Sequence, residues 1–194
     1  NSIREYIRNF IMSKLETNTI DTVSGTTNLV IGSTNSSTVT FENGSPTGHM
    51  YPAFEAKRSG AQTLSHDTET KVAVDVEVFD TNSCYDNSTN YRFTPTVAGK
   101  YYIYAQAVGE AGIAQLKRYS LIIKRNGSNY KYMSQYFTNN EGYINNIFIG
   151  AVIDFNGSSD YVELFTKIEY ASSGTVKIDG GTAGPTFGGY RIGA

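Results

Sequence analysis

Histidine and thiol chemistry in this chain rests on very few residues: His49, His66 and the single Cys84. Nucleophilic catalysis needs a base beside the nucleophile and a third group to orient that base. Neither histidine sits in such a motif. His66-Asp67 has the letters of a dyad, but adjacent residues in a polar loop read as a solvated pair. No His/Cys spacing of a zinc site occurs. Cys84 has no partner for an intrachain disulfide and reads as a small buried residue. Asp80, Asp86 and Asn87 flank turns and offer hard oxygen ligands, so they are the calcium candidates; no other cofactor is expected. Asp75 and Glu77 alternate with valines and read as the solvated side of a strand. The remaining carboxylates are scattered without a glycosidase pattern, so no enzyme is expected. The aromatic residues are the better clue. Tyr130, Tyr132, Tyr136, Phe137 and Tyr143 alternate with Ser, Asn and Gln across 129–146, a stretch that includes Asn140. Tyr offers flat, rigid contact area with a polar tip, suited to sugars or protein surfaces. Packing in a core or between subunits is the competing use of each ring. With Lys57 and Arg58 of an earlier polar loop, Tyr130, Tyr132, Tyr136, Asn140 and Tyr143 form the candidate receptor-binding set.

The elements that must position these residues are strands. The 194 residues hold 19 Gly, 15 Tyr and only 4 Pro, and Ser, Thr and Asn are abundant, a composition typical of all-β proteins. The length allows one good core plus an appendage. No apolar run reaches the ~20 residues of a membrane-spanning helix. Net charge is −2 with no basic tract, which argues against a nucleic-acid partner. The chain opens on Asn rather than Met, so upstream sequence is expected.

Residues 1–16 read as a short helix. Ser2-Ile3-Arg4-Glu5 has the form of a capping box, and Ile3, Ile7, Phe10 or Ile11, and Leu15 follow at helical spacing. So short a helix is marginal alone and needs a surface or copies of itself. It either docks on its own domain or joins the chains of an oligomer. Residues 17–48 are rich in Thr, Ser, Asn and Gly with short apolar pieces such as Leu29-Val30-Ile31. They are either a flexible linker or a β-rich stem in which several chains share a thin core.

The head spans 49–194. Val72, Val74, Val76 and Val78 predict one period-two strand with an apolar face. Asn126-Gly127 predicts a hairpin between 116–124 and 130–133. Residues 134–146 read as a long loop with at most an edge strand, and Ile147 to Phe155, almost continuously apolar, reads as a buried strand. Short strands, turn signals and the lack of helix after Leu15 leave a sandwich, jelly roll or barrel, with the jelly roll preferred.

The order of residues is more specific. Phe93-Thr94-x-x-Val97-x-Gly99-x-Tyr101-Tyr102 resembles the F-T-x-x-x-x-G-x-Y-Y core of the globular head of complement component one, subcomponent q, a family that includes adiponectin and shares its fold with tumour necrosis factor. Pro52-Ala53-Phe54-Glu55-Ala56 resembles the opening of such heads, and Tyr85-Asp86 with Thr89-Asn90 their Y-D-x-x-T-G. Leu121 to Gly127, Val152 to Leu164 and Thr186-Phe187-Gly188-Gly189-Tyr190 resemble the remaining landmarks. The spacing from Tyr85 to Phe93 is one residue longer than in the family, and Ile103 replaces a Phe. The resemblance implies a ten-stranded jelly roll that assembles as a homotrimer and binds ligands through outer loops, in some members with calcium.

No collagen repeat precedes the head. The helix and Thr/Ser/Asn/Gly-rich stem resemble the distal end of a bacteriophage tail fibre. The expected function is non-enzymatic recognition of a host-surface glycan or protein by a trimeric head at a virion fibre tip, next to other virion fibre proteins. The alternatives are a structural trimerisation or decoration module of a virion and a secreted adhesin. Recognition is expected from loops 57–70, 81–90 and 134–146.

Overall fold

The computed structural model describes residues 52–140, 142–172 and 174–193. The expected helix over 1–16, the stem over 17–48 and His49 lie outside the described residues. Strands β1 (Ala53–Lys57), β2 (Gln62–Leu64), β3 (Thr70–Lys71), β4 (Val76–Asp80), β5 (Tyr85–Asp86), β6 (Arg92–Phe93), β7 (Gly99–Glu110), β8 (Leu116–Arg125), β9 (Ser128–Tyr136), β10 (Ile144–Phe155), β11 (Val162–Tyr170), β12 (Val176–Ile178) and β13 (Thr186–Gly193) build two antiparallel sheets. Five of the thirteen are two- or three-residue pieces, which is why this count exceeds the ten of the jelly roll.

The first sheet runs β2-β12-β7-β13-β1-β4, with β10 on the free edge of β7. Strand β7 is the spine. It pairs with β10 along its whole length, from Gly99↔Phe155 to Glu110↔Ile144, and with β13 and then β12 on the other edge. The second sheet runs β5-β6-β11-β8-β9, with β3 against β11. A jelly-roll sandwich results, as the sequence predicts.

Strict alternation along β7 divides its side chains. Tyr101, Ile103, Ala105 and Ala107 point inward and are fully buried, while Tyr102 and Tyr104 lie on the outer face. Across the core, Phe54 stacks on Phe93 (4.3 Å) and Tyr85 (4.8 Å) and takes the edge of Phe187 (5.1 Å). Tyr101 and Phe155 meet edge to face at 5.2 Å. The Tyr101 hydroxyl donates to the carbonyl of Val97 at 2.7 Å, and burial pushes its pKa up to about 12. Cys84 is buried.

Three expectations are revised. The valines of 72–78 do not form one strand: β3 belongs to the second sheet and β4 to the first. The chain crosses between sheets through Val72 and Val74, which are fully buried, whereas Val78 is exposed on edge strand β4. Ile147 to Phe155 is apolar but not buried throughout. Ile147, Ile149, Ile153 and Phe155 enter the core, and Phe148 (57 % exposed) and Val152 (49 %) face outward. Finally, 128–136 is a full strand, so the predicted 134–146 loop shrinks to residues 137–143.

Candidate recognition surfaces

The two outer faces of the sandwich differ in chemistry. On the second sheet, β11 and its neighbours carry opposite charges in register. Lys71 meets Glu163 (2.5 Å), Lys124 meets Glu69 (2.6 Å), and Asp67 takes both Arg118 and Lys167. Lys71 and Lys124 also sit over the Phe165 ring, at 5.8 and 4.3 Å from its centre. The Asp67 pairs stay largely solvated, whereas Glu163 is buried beneath Lys71.

The centre of the first sheet's outer face is aromatic and apolar, with the Lys100–Asp154 and Lys177–Glu110 pairs at its ends. Cross-strand register sets Val152, Tyr102 and Tyr190 in one row, Gly150, Tyr104 and Gly188 in the next, and Phe148, Gln106 and Thr186 in a third. Tyr102 stacks on Tyr104 (6.1 Å) and tilts against Tyr190 (5.9 Å). Gly150 and Gly188 let the two rings lie against the sheet, since a Cβ at either position would come within 2.5 Å of a tyrosine hydroxyl or ring. The Tyr104 hydroxyl donates to Glu55 Oε2 at 2.7 Å, and burial raises its pKa before that carboxylate adds to the effect. Beside this face, Tyr130 on β9 donates its hydroxyl to the Val152 carbonyl at 2.9 Å, and Met133 is exposed.

The sandwich has two ends. At one, Ala53 lies level with Tyr190 and Tyr102, and Gly193 pairs with Lys100. The start of the first strand and the end of the last therefore meet at this basal end. The Asn126-Gly127 turn and the 156–161 turn lie here too, tied by Asp160, whose carboxylate takes Asn126 Nδ2 (2.7 Å), Arg125 Nη2 (2.8 Å) and the Asn156 N–H (2.9 Å). The opposite, distal end presents residues 111–115, 137–140, 142–143, 171–172 and 174–175.

The distal end holds an open cavity of about 520 Å³ lined by Tyr136, Phe137, Thr138, Gly142, Tyr143 and Ile144. Its loop is anchored to the scaffold. Ala111 N–H donates to the Tyr143 carbonyl (2.9 Å), Leu116 N–H to that of Gly142 (2.5 Å), and Phe137 N–H to that of Lys117 (2.9 Å). Asn139 turns the chain with φ +64°, a conformation Asn tolerates better than most residues. A Cβ on Gly142 would sit 2.8 Å from the Phe137 ring, so glycine permits the ring to close the floor. Tyr136 is 71 % exposed and Tyr143 54 %. Arg118, held by Asp67 and Glu169, lies over the Tyr136 ring at 5.8 Å.

The structure divides the candidate residues among separate places. Tyr136 and Tyr143 meet at the distal cavity, and Asn140 lies in its loop. Tyr130 and Tyr132 stand on β9, not in a loop; Tyr132 covers Ile122 and donates to Ser120 Oγ at 3.0 Å. Lys57 and Arg58 line a second cavity of about 540 Å³ with Ser59, Gly181 and Thr182. Arg58 is tied there to the Ala61 carbonyl.

Asp80, Asp86 and Asn87 lie on the basal side. Asp80 Oδ2 accepts the Tyr85 N–H. Asp86 accepts the N–H groups of Thr89, Ser88 and Asn90 and the Asn90 amide, an arrangement that holds its carboxyl far below the usual carboxylate range. Asp86 therefore closes a turn. Among the described residues, no group of three or more His, Cys, Asp or Glu is placed to hold a metal ion. His66 Nδ1 accepts the Tyr170 N–H at 3.4 Å, while Asp67 turns to Arg118 and Lys167. These two residues form no dyad. The aromatic outer face of β7, β10 and β13 was only partly legible in sequence, since Tyr102 and Tyr104 alternate with buried residues but nothing in their types says that the other face lacks a covering layer.

No family model matches the chain, and no curated protein matches it. Solved structures do. The chain is similar to the globular domain of zebrafish complement 1qA protein (20 % identity, TM-score 0.51, covering 73 % of this chain and 97 % of that one). It is also similar to murine APRIL (10 %, 0.54, 72 % and 98 %) and to Eiger TNF from S. frugiperda (14 %, 0.51, 75 % and 95 %). Among the described residues no helix is long and apolar enough to cross a membrane. Residues 52–193 have the jelly-roll fold of complement 1q globular domains and tumour necrosis factor-like proteins.

Proposed function

We propose that this chain forms a homotrimeric, non-enzymatic recognition head at the tip of a virion fibre, engaging a host-surface receptor through its distal end. The observation that carries this reading is the contrast between the two outer faces. One sheet compensates its charges and is at ease in water. The other has an aromatic and apolar centre, half-buried Tyr102 and Tyr190 beside exposed Phe148 and Val152, with the Lys100–Asp154 and Lys177–Glu110 pairs at its ends, and such a centre has the composition of a surface that is covered in the working protein. The β9–β10 margin with Tyr130 and Met133 offers a second, different apolar surface. Two unlike surfaces on one subunit associate head to tail, and such contacts close into a ring when the rotation permits. Three copies agree with the similarity to complement 1q and tumour necrosis factor-like folds.

With that face covered, and with β1 starting and β13 ending at the basal end, the distal loops stay free, and the aromatic cavity is among them. The virion setting rests on the Thr/Ser/Asn/Gly-rich composition of residues 17–48 ahead of the head. Trimerisation alone would use the same apolar face, so adsorption separates the readings. Labelled full-length protein should adsorb saturably to host cells and block virion attachment. A trimer that binds other virion proteins but no cell would favour the structural module. Adsorption by a protein that carries a secretion signal upstream and no fibre shaft would favour the adhesin.

A further inference from the structure

The distal cavity carries a statement about ligand class, which rests on the recognition reading above. We infer that it binds a neutral glycan, with Tyr136 and Tyr143 as stacking platforms. Its described lining carries no charged side chain: Tyr136, Phe137, Thr138, Gly142, Tyr143 and Ile144 supply rings, hydroxyls and backbone groups. Arg118, which lies over the Tyr136 ring, is already engaged by Asp67 and Glu169. The cavity is broad and open, about 520 Å³, unlike the enclosed apolar pockets that bury small hydrophobic ligands. Sugar rings present C–H faces that stack on aromatic rings and hydroxyls that exchange hydrogen bonds with Thr, Asn and Tyr. Three backbone hydrogen bonds from residues 111, 116 and 137 hold the loop in shape before any ligand arrives, which lowers the ordering cost of binding.

The test is an array of neutral gluco-, galacto- and manno-oligosaccharides beside sialylated, sulfated and phosphorylated probes, with labelled full-length protein. Binding to one or more neutral probes is expected. Tyr136→Ala and Tyr143→Ala should each weaken it by about tenfold or more, and Tyr143→Phe, which keeps the ring, by less than about threefold. Both tyrosines are exposed, so melting temperatures of the variants should stay close to wild type. Binding confined to anionic probes would overturn the inference. So would neutral-glycan binding indifferent to both alanine substitutions. Adsorption to cells that protease treatment abolishes and periodate does not would overturn the glycan assignment while leaving the recognition reading intact. Absence of both array binding and cell adsorption would overturn both.

Discussion

Phe148→Glu separates association from folding. In one protomer Phe148 is 57 % exposed on the outer face of β10, opposite Gln106 of β7. An aromatic side chain buries ~150–250 Å² when fully covered, so roughly 100 Å² of Phe148 is free to be covered by a neighbour. At ~25 cal/mol per Å² this is roughly 2.5 kcal/mol per protomer, and threefold repetition brings it to about 7 kcal/mol per trimer. A glutamate at this position loses that term and places three carboxylates without partners in the contact, which costs several kcal/mol more. The fold itself should barely register the change, within about 1 kcal/mol, because the position touches water in the single subunit. The assay is light-scattering mass at micromolar concentration, paired with urea unfolding. Wild type should have three times the chain mass, and the variant should be a folded monomer. A Phe148→Glu protein that stays trimeric with unchanged dissociation would refute the assignment of this face.

Phe54→Ala removes the ring that stacks on Phe93 and Tyr85 and should cost about 3–5 kcal/mol in urea unfolding; a loss below about 1 kcal/mol would show that the core is not organised around it. Gly142→Ala forces a Cβ to 2.8 Å from the Phe137 ring and should cost about 1–3 kcal/mol, with reduced adsorption, measured by melting and cell binding. Acid should destabilise the head. The carboxyls of Asp86 and Asp160 are held low chiefly by the Thr89 N–H and the Asn126 amide, respectively. Their contributions are thus present above the unfolded Asp pKa of ~3.9 and are lost as pH falls through the lower folded values. Urea midpoints should decline below about pH 4, and Asp86→Ala should be less stable at neutral pH and show a shallower acid decline.

Much of the fold was legible because the chain's strongest signals are local. Asn126-Gly127 makes the expected turn with positive φ at both residues, +50° and +78°. Phe93, Tyr101 and Phe187, landmarks of the family resemblance, are core residues, which explains why those types stand at those places. What failed depended on which side of a strand finds a partner. The valines of 72–78 have perfect period-two spacing, yet the chain changes sheets among them, and a crossover leaves no mark on alternation. Phe148 and Val152 look like core in sequence because apolar type does not distinguish a core from an exposed sheet face. The candidate site was legible as residue types, Tyr among Asn and Ser, but not as one place. Register puts Tyr130 and Tyr132 on β9, Lys57 and Arg58 in another cavity, and Asp80 and Asp86 on the basal side, far along the chain from Tyr136 and Tyr143.

The central claim, a trimer that recognises its target with the distal end, is tested most directly by hydroxyl-radical footprinting of the full-length protein, free and adsorbed to the cells it recognises. Tyr102, Tyr190 and Phe148 should be protected in both states, and Tyr136, Phe137 and Tyr143 should gain protection on adsorption only. Protection on adsorption at the basal turns 126–127 and 156–161, with Tyr136 and Tyr143 still reactive, would contradict it.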